Sequence, residues 1–320
     1  MIKMSVIIPT HNNCEYLRNT IISLQEQKFP KNDYEIIVVD NNSTDNTPGV
    51  VEECKRNGKK EIVYVKEQNI GLHYARHRGA KIAKGEILAY VDDDVICDSN
   101  WLSELIKPYD DPEVGVVGGK ILPKYEVEPP EWIKYFSSAY LSLIDEEGEV
   151  KESLTIFGCN FSIRKSVLFE VGGFNPDAFG DEKLIWYRGD GESGLIRKVR
   201  DAHKKTIYTP FAVVWHVIPK SRLTLDFYKR RAFMEGISDS FTECQVKGCG
   251  RIKSIFQIFM FSSFSVILKI LAVMNKFIKK DKYYYKGEVF SSYYKSRFLY
   301  ALRLIYDKKL REHVKKEHWI

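Results

Sequence analysis

EILAYVDDD, residues 86–94, sets an apolar run directly against three consecutive aspartates. The run Ile87-Leu88-Ala89-Tyr90-Val91 reads as a buried strand that carries on into the acidic triplet. Like charges at Asp92, Asp93 and Asp94 repel one another, so a fold that holds them at a strand end must offset that repulsion. Three further apolar runs precede this one: SVIIP (5–9), YEIIVVD (34–40) and EIVYVKE (61–67). A helix-type spacing follows each of them. It is carried by Leu17, Ile21, Ile22 and Leu24 after the first, by residues from about Pro48 to Arg56 after the second, and by 71–84 after the third. Strands that are apolar throughout and alternate with helices predict an α/β fold, a parallel sheet covered on both faces. Ligands of such sheets bind beyond the carboxyl ends of the strands. Asp40 and the triplet both fall there, so they are expected to face one crevice.

Farther along, VGVVGGKILP (114–123) reads as a strand pair or a strand and turn, and YEVEPPEWIKYF (125–136) as a Pro-interrupted loop. TIFGCNFSIRKSVLFEVGGF (155–174) predicts a strand, then a helix from about Lys165 to Gly172-Gly173. A last helix and strand end at His216.

The chain has 320 residues, 44% hydrophobic and 29% charged, enough for one large domain or two smaller ones. Six scattered cysteines (14, 54, 97, 159, 244, 249) lack paired metal-ligand spacing, and CQVKGCG alone makes no metal site. A reduced, cytosolic compartment is expected, and the first residues run straight into a strand without a signal-peptide pattern. The net charge of +6 is uneven: residues 251–320 carry +11 and the first 250 carry −5. A basic tail points to an anionic partner surface. The tail also holds SIFQIFMFSSFSVIL, fifteen uncharged residues ahead of Lys269, short of the ~18 expected of a clean span. On a helix, Ser262, Ser265, Lys269, Lys276 and Lys280 share one narrow stripe. That pattern suits a helix in a membrane interface with its lysines at the headgroups, or a core helix packed on the main domain. A true span ranks third, since Lys269 would lie in hydrocarbon. The apolar run favours lipid over nucleic acid, for which no motif is present.

Several residues have the chemistry of a site. A hard divalent cation on one or two of Asp92–Asp94, shared with substrate phosphate, would relieve their repulsion; a solvated acidic turn is the plain alternative. Asp40 can accept hydrogen bonds from a base or ribose, or simply start the next turn, a role that Asn42, Ser43 and Asp45 fit better. RGDGESGL places Asp190 and Glu192 between glycines at a helix start, suited to the helix dipole or to a general base. His216 ends a strand, where it can ligate metal, contact phosphate or be structural. No G-x-x-x-x-G-K-[ST] loop occurs, and the first strand ends in PTHNN rather than G-x-G-x-x-G, against P-loop NTPases and dinucleotide-dependent oxidoreductases.

In order, SVIIPTHNNCEYLRNTIISLQEQ, EIIVVDNNSTDNT, NIGLHYARHRGAKIAKGEILAYVDDDV, GCNFSIRKSVLFEVGGF, GDGESGL and VVWH resemble the family 2 glycosyltransferases, inverting enzymes of GT-A fold. The likeness covers about residues 4–218. It implies a GT-A domain over 1–220, with a nucleotide-sugar half (1–120) and an acceptor half (121–220), followed by a helical, basic region over 221–320. It further implies that Pro9, Thr10, His11 and Asn12 line the nucleotide pocket, that Asp40 reads the base, and that Asn42 and Arg76 belong to the donor site. Asp92 and Asp93 would touch ribose. Asp94 would hold Mg²⁺ or Mn²⁺ on the donor diphosphate, aided by Asp92 and His216. Asn160 would border acceptor and sugar. Asp190 would be the base, with Glu192 as the alternative because Gly189 replaces the family's glutamate. The implied reaction moves a sugar, most commonly from UDP, to a saccharide hydroxyl with inversion. The basic tail favours a lipid-linked acceptor at the cytoplasmic membrane face. The rival readings are a nucleotidyltransferase acting on a sugar phosphate and an inactive nucleotide-sugar-binding membrane scaffold.

Overall fold

Met4–Thr10 has no exposed residue, which only an interior strand permits. It forms β1 in a computed structural model that describes residues 2–58, 60–177 and 182–320. Helix α1 (Cys14–Gln25) turns Leu17, Ile21 and Leu24 inward and leads to β2 (Tyr34–Asp40), then α2 (Thr47–Asn57), β3 (Ile62–Lys66), α3 (Leu72–Ile82) and β4 (Ile87–Tyr90). β3, β2, β1 and β4 lie side by side, all parallel. After the short β5 (Val95–Cys97) and α4 (Trp101–Ile106) come β6 (Val114–Tyr125), β7 (Lys151–Glu152), β8 (Phe161–Arg164), α5 (Lys165–Glu170), α6 (Gly191–Asp201) and β9 (Lys205–Ile218).

The strand order is β3-β2-β1-β4-β8-β6-β9-β5, with β7 on β9. β8 runs antiparallel to β4 and β6, and β6 and β9 are parallel, so the sheet is mixed. One apolar core covers each face: Ile8, Val38 and Trp101 belong to one, Ile7, Leu88 and Phe161 to the other.

Two sequence expectations change here. Residues 114–123 form one continuous strand. Gly118 and Gly119 mark close approach rather than a turn: a Cβ on Gly119 would lie 2.1 Å from the Ala212 carbonyl oxygen, and one on Gly118 2.4 Å from Ile156. The strand at 86–94 stops at Tyr90. Asp92–Asp94 form a turn that carries the chain away from β1 so that β5 can pair with β9, Val95 opposite His216.

Four helices follow the sheet: α7 (Leu225–Lys247), α8 (Arg251–Phe277), α9 (Asp281–Tyr306) and α10 (Lys308–Val314). Ile237, Phe241, Tyr300 and Leu310 join α7, α9 and α10 in a small core. The polar stripe expected on α8 is divided: Ser265 and Lys269 reach toward α9, while Lys276 and Lys280 are exposed. Ser265 and Ser291 exchange hydrogen bonds, and Lys269 pairs with the buried Glu288 of α9 at 2.6 Å. α8 is not a core helix, for Phe256, Phe259, Ile270, Met274 and Phe277 stay exposed. By length and composition Ile252–Phe277 is able to cross a membrane.

Candidate active site

The carboxyl ends of β1 and β4 place the first cavity, about 430 Å³, lined by Pro9, Thr10, His11, Asn12, Asn13, Asn41, Ile70, Leu72, Ala75, Asp92–Asp94 and Arg222. Asp93 is clamped at its floor. Thr10 Oγ1 donates to one carboxylate oxygen and Asn13 Nδ2 to the other, both at 2.6 Å. Thr20 Oγ1 lies 2.8 Å from its carbonyl oxygen. Burial, then the Asp94 charge, pushes the Asp93 carboxyl up to about 8.

Asp94 points the other way. Arg222 Nη2 donates to its Oδ2 at 2.6 Å, and His216 Nε2 stands 3.4 Å from the same oxygen. His216 Nδ1 is 3.0 Å from the Leu141 carbonyl, so Nδ1 carries the proton and Nε2 presents its lone pair, to which Arg222 Nη1 donates at 2.7 Å. β5–β9 pairing fixes this meeting, reinforced by the Val217 amide on the Asp94 carbonyl at 2.9 Å. Asp94 Oδ1 is buried without a hydrogen-bond partner.

Asp92 faces Arg76, 3.6 Å away, and Arg76 also lies 3.4 Å from Glu192. The Arg76 guanidinium is buried, stacked 5.0 Å over Phe174. Gly158 leaves it room, since a Cβ there would lie 2.2 Å from Nη2.

A second cavity of about 600 Å³ adjoins the first, and Leu72, Asp92 and Arg222 line both. Its walls include Tyr140, Phe157, Gly158, Asp190, Glu192, His216 and four arginines from the chain's second half, Arg188, Arg197, Arg230 and Arg231. The two candidate bases differ in surroundings. Asp190 is 5% exposed and held by three donors: Asn175 Nδ2 donates to it at 2.6 Å, Thr242 Oγ1 at 2.7 Å and Arg197 at 2.9 Å. Glu192 is 22% exposed, with only long contacts of 3.4 Å to Arg76 and the Gly158 amide.

Three residues proposed from the sequence stand apart from these cavities. Asp40 is buried, its oxygens taken by the Ser43 amide at 2.8 Å and the Tyr64 hydroxyl at 2.5 Å, so it shapes the turn after β2. Asn42 sits in that turn at φ 61°, and neighbouring Asn41 lines the cavity in its place. Asn160 is buried. It accepts from Trp101 Nε1 at 2.8 Å and donates to the Lys120 and Ala212 carbonyls at 2.9 Å, tying β6, β9 and α4 together while Gly158 and Cys159 face the cavity. Conversely, Asn13, Asn41 and Arg222 belong to the site without having been singled out. Arg222 had no motif to mark it, only its place six residues after His216.

Among the described residues no three or more His, Cys, Asp and Glu converge on a ready-made ion cage. Asp94 and His216 nevertheless fit a hard divalent ion that completes its shell with phosphate oxygens: one carboxylate oxygen lacks a partner, and the imidazole is oriented by a carbonyl behind it.

Comparison with known proteins gives a consistent family. The model described as glycosyl transferase family 2 matches residues 5–172. A glucosyl-dolichyl phosphate glucuronosyltransferase of Haloferax volcanii is 26% identical over 74% of this chain and 76% of its own length. A GalNAc(5)-diNAcBac-PP-undecaprenol beta-1,3-glucosyltransferase of Campylobacter jejuni is 34% identical over 58% of this chain, and the match spans 59% of that relative. Among solved structures, the mannosyltransferase PcManGT of Pyrobaculum calidifontis, in complex with GDP-Man and Mn²⁺, superposes with a TM-score of 0.63 at 18% identity, covering 96% of this chain and 88% of that one. S. aureus TarS 1-349 in complex with UDP-GlcNAc gives 0.55 at 16% identity over 92% and 90%. These likenesses carry the GT-A fold, and the comparisons favour neither the nucleotidyltransferase nor the scaffold reading.

Proposed function

Since this chain belongs to glycosyl transferase family 2, we propose that it moves a sugar from a nucleoside-diphosphate sugar, a UDP-sugar first among candidates, to a hydroxyl of a saccharide acceptor with inversion. The observation that carries this reading is the junction of two cavities at Asp92 and Arg222. One holds the β1 and β4 strand ends with Asp92–Asp94, and the other holds the carboxylates Asp190 and Glu192 at the start of α6. In this reading residues 1–120 bind the donor, 121–220 shape the acceptor side, and 221–320 form a helical extension.

Pro9 to Asn12 and Asn41 bound the nucleoside, and Asp92 lies toward the ribose. Asp94 and His216 would hold Mg²⁺ or Mn²⁺, which when bound supplies Lewis-acid neutralisation of the departing diphosphate. Glu192, which lines the acceptor cavity and has only long contacts, takes the proton from the attacking hydroxyl. Asp190, held by three donors, anchors the helix start. Arg76, buried between Asp92 and Glu192, offsets the charge of both. Attack on the anomeric carbon from the face opposite the diphosphate inverts its configuration.

The relatives' names support a lipid-linked acceptor, and the exposed apolar face of α8 supports work at a membrane surface, which this reading takes to be the cytoplasmic one. A screen of nucleotide sugars with Mn²⁺ tests the core of the proposal. Slow donor hydrolysis of one sugar nucleotide is expected, and binding without turnover across the panel would reject it.

A further inference from the structure

Arg222 closes a three-membered cluster in which the two groups suited to a metal ion already share a cation. Its Nη2 reaches Asp94 Oδ2 at 2.6 Å and its Nη1 reaches His216 Nε2 at 2.7 Å, so one planar guanidinium spans both. The His216 lone pair and the Asp94 carboxylate face each other across 3.4 Å, and Asp94 Oδ1 is buried with no partner. Without a positive charge between them, a carboxylate 7% exposed would be left beside a neutral imidazole.

The two arginines near the acidic turn differ in how firmly they are held. Arg76 is 2% exposed and lies between Asp92, Glu192 and the Phe174 ring. Arg222 is 32% exposed, stands in a single 3-10 turn (Lys220–Leu223) and lines both cavities. Its guanidinium can therefore withdraw into open space without breaking the core.

We propose that Arg222 is a displaceable resident cation: its guanidinium occupies the Asp94–His216 position, holds both side chains in ligand geometry, and yields that position to the divalent ion that arrives with the nucleotide. The proposal rests on the metal reading above. Arg222 is here a positioning residue, acting through Asp94 and His216. Its presence makes the ion compete with a built-in charge, so ion binding by the protein alone is weak and becomes strong only when diphosphate oxygens add to the protein's two ligands.

The test is Mn²⁺ titration of the full chain, followed by electron paramagnetic resonance of free Mn²⁺, with and without UDP. Without UDP, Arg222→Gln is expected to bind Mn²⁺ at least tenfold more tightly than the natural chain, and Arg222→Gln with Asp94→Asn to lose that gain. Millimolar guanidinium, far below denaturing levels, should weaken Mn²⁺ binding to Arg222→Gln but not to the natural chain, an effect that a merely structural role would not produce. Arg222→Lys, which keeps the charge but cannot span both ligands, should fall between the natural chain and Arg222→Gln. Equal Mn²⁺ affinity in the natural chain and Arg222→Gln, with UDP-dependent binding intact in both, would overturn the placeholder and leave the metal reading standing. No Mn²⁺ binding to either chain even with UDP would overturn both.

Discussion

Glu192 and Asp190 stand two residues apart, yet their environments differ. In the proposed mechanism the base is Glu192, whose contacts are long, while Asp190 is held by three donors. Glu192→Gln is expected to cut turnover by about 10²–10⁴-fold while leaving nucleotide affinity, measured by calorimetry, within a few-fold. Asp190→Asn should act mainly on stability, lowering it by about 1–3 kcal/mol through weakened charged hydrogen bonds. Full transfer by Glu192→Gln together with none by Asp190→Asn would reverse the assignment. Asn160 gives a parallel contrast. Asn160→Ala strands Trp101 Nε1 and two buried carbonyls, so chemical denaturation should show a loss of about 2–4 kcal/mol, with KM for the acceptor unchanged in the folded fraction. The aspartate triplet, the histidine and the carboxylate pair were legible because their residue types and places at strand ends are local facts. The engagement of Asp40, Asp190 and Asn160 was not, since every partner that holds them, save Ser43 for Asp40 and Arg197 for Asp190, is distant in sequence.

At the scale of elements, α8 shows how part of a correct pattern can be claimed by a neighbouring helix. The stripe of serines and lysines was visible at helical spacing, but its partner on α9, Glu288 with Ser291, lies some twenty residues on and bears no local mark. Polar groups on α8 find hydrogen-bond partners on α9, which turns the apolar side outward. The double variant Phe259→Ser and Met274→Ser, at positions 69% and 58% exposed, should leave the melting temperature nearly unchanged and strongly reduce cosedimentation with anionic vesicles. Unaltered vesicle binding by that double variant would dismiss the face as a lipid contact. β6 gives the converse case. Two adjacent glycines suggested a turn, and only the neighbouring Ala212 and Ile156 explain why they lie inside a strand.

For the whole molecule, buried histidines on α3 link stability to pH. Burial, then the charge of His73, lowers His77 to about 2, and burial lowers His73 to about 4. Both rings are nearly fully buried, and His77 Nε2 accepts the Phe174 amide at 2.9 Å. Since both folded values lie below the ordinary histidine value, the unfolded chain binds more protons as pH falls. Their contribution is whole above about pH 6.5 and declines below it, by about 2 kcal/mol for each histidine at pH 5. Urea midpoints should drop between pH 7 and 5, and His77→Gln should flatten that slope; a parallel slope in the variant would exclude His77 as a source.

The sequence by itself determined the alternation of strands and helices, the parallel first half of the sheet and the strand-end address of the acidic turn, because periodicity and apolar runs act over a few residues. Tertiary structure alone decided that β5 leaves β1 for β9, which carries Asp94 to His216 and Arg222. It also decided which carboxylates are held by several donors and which side of α8 meets solvent. Those outcomes depend on partners brought together by long-range pairing, where burial and hydrogen-bond satisfaction, rather than local propensity, select the arrangement.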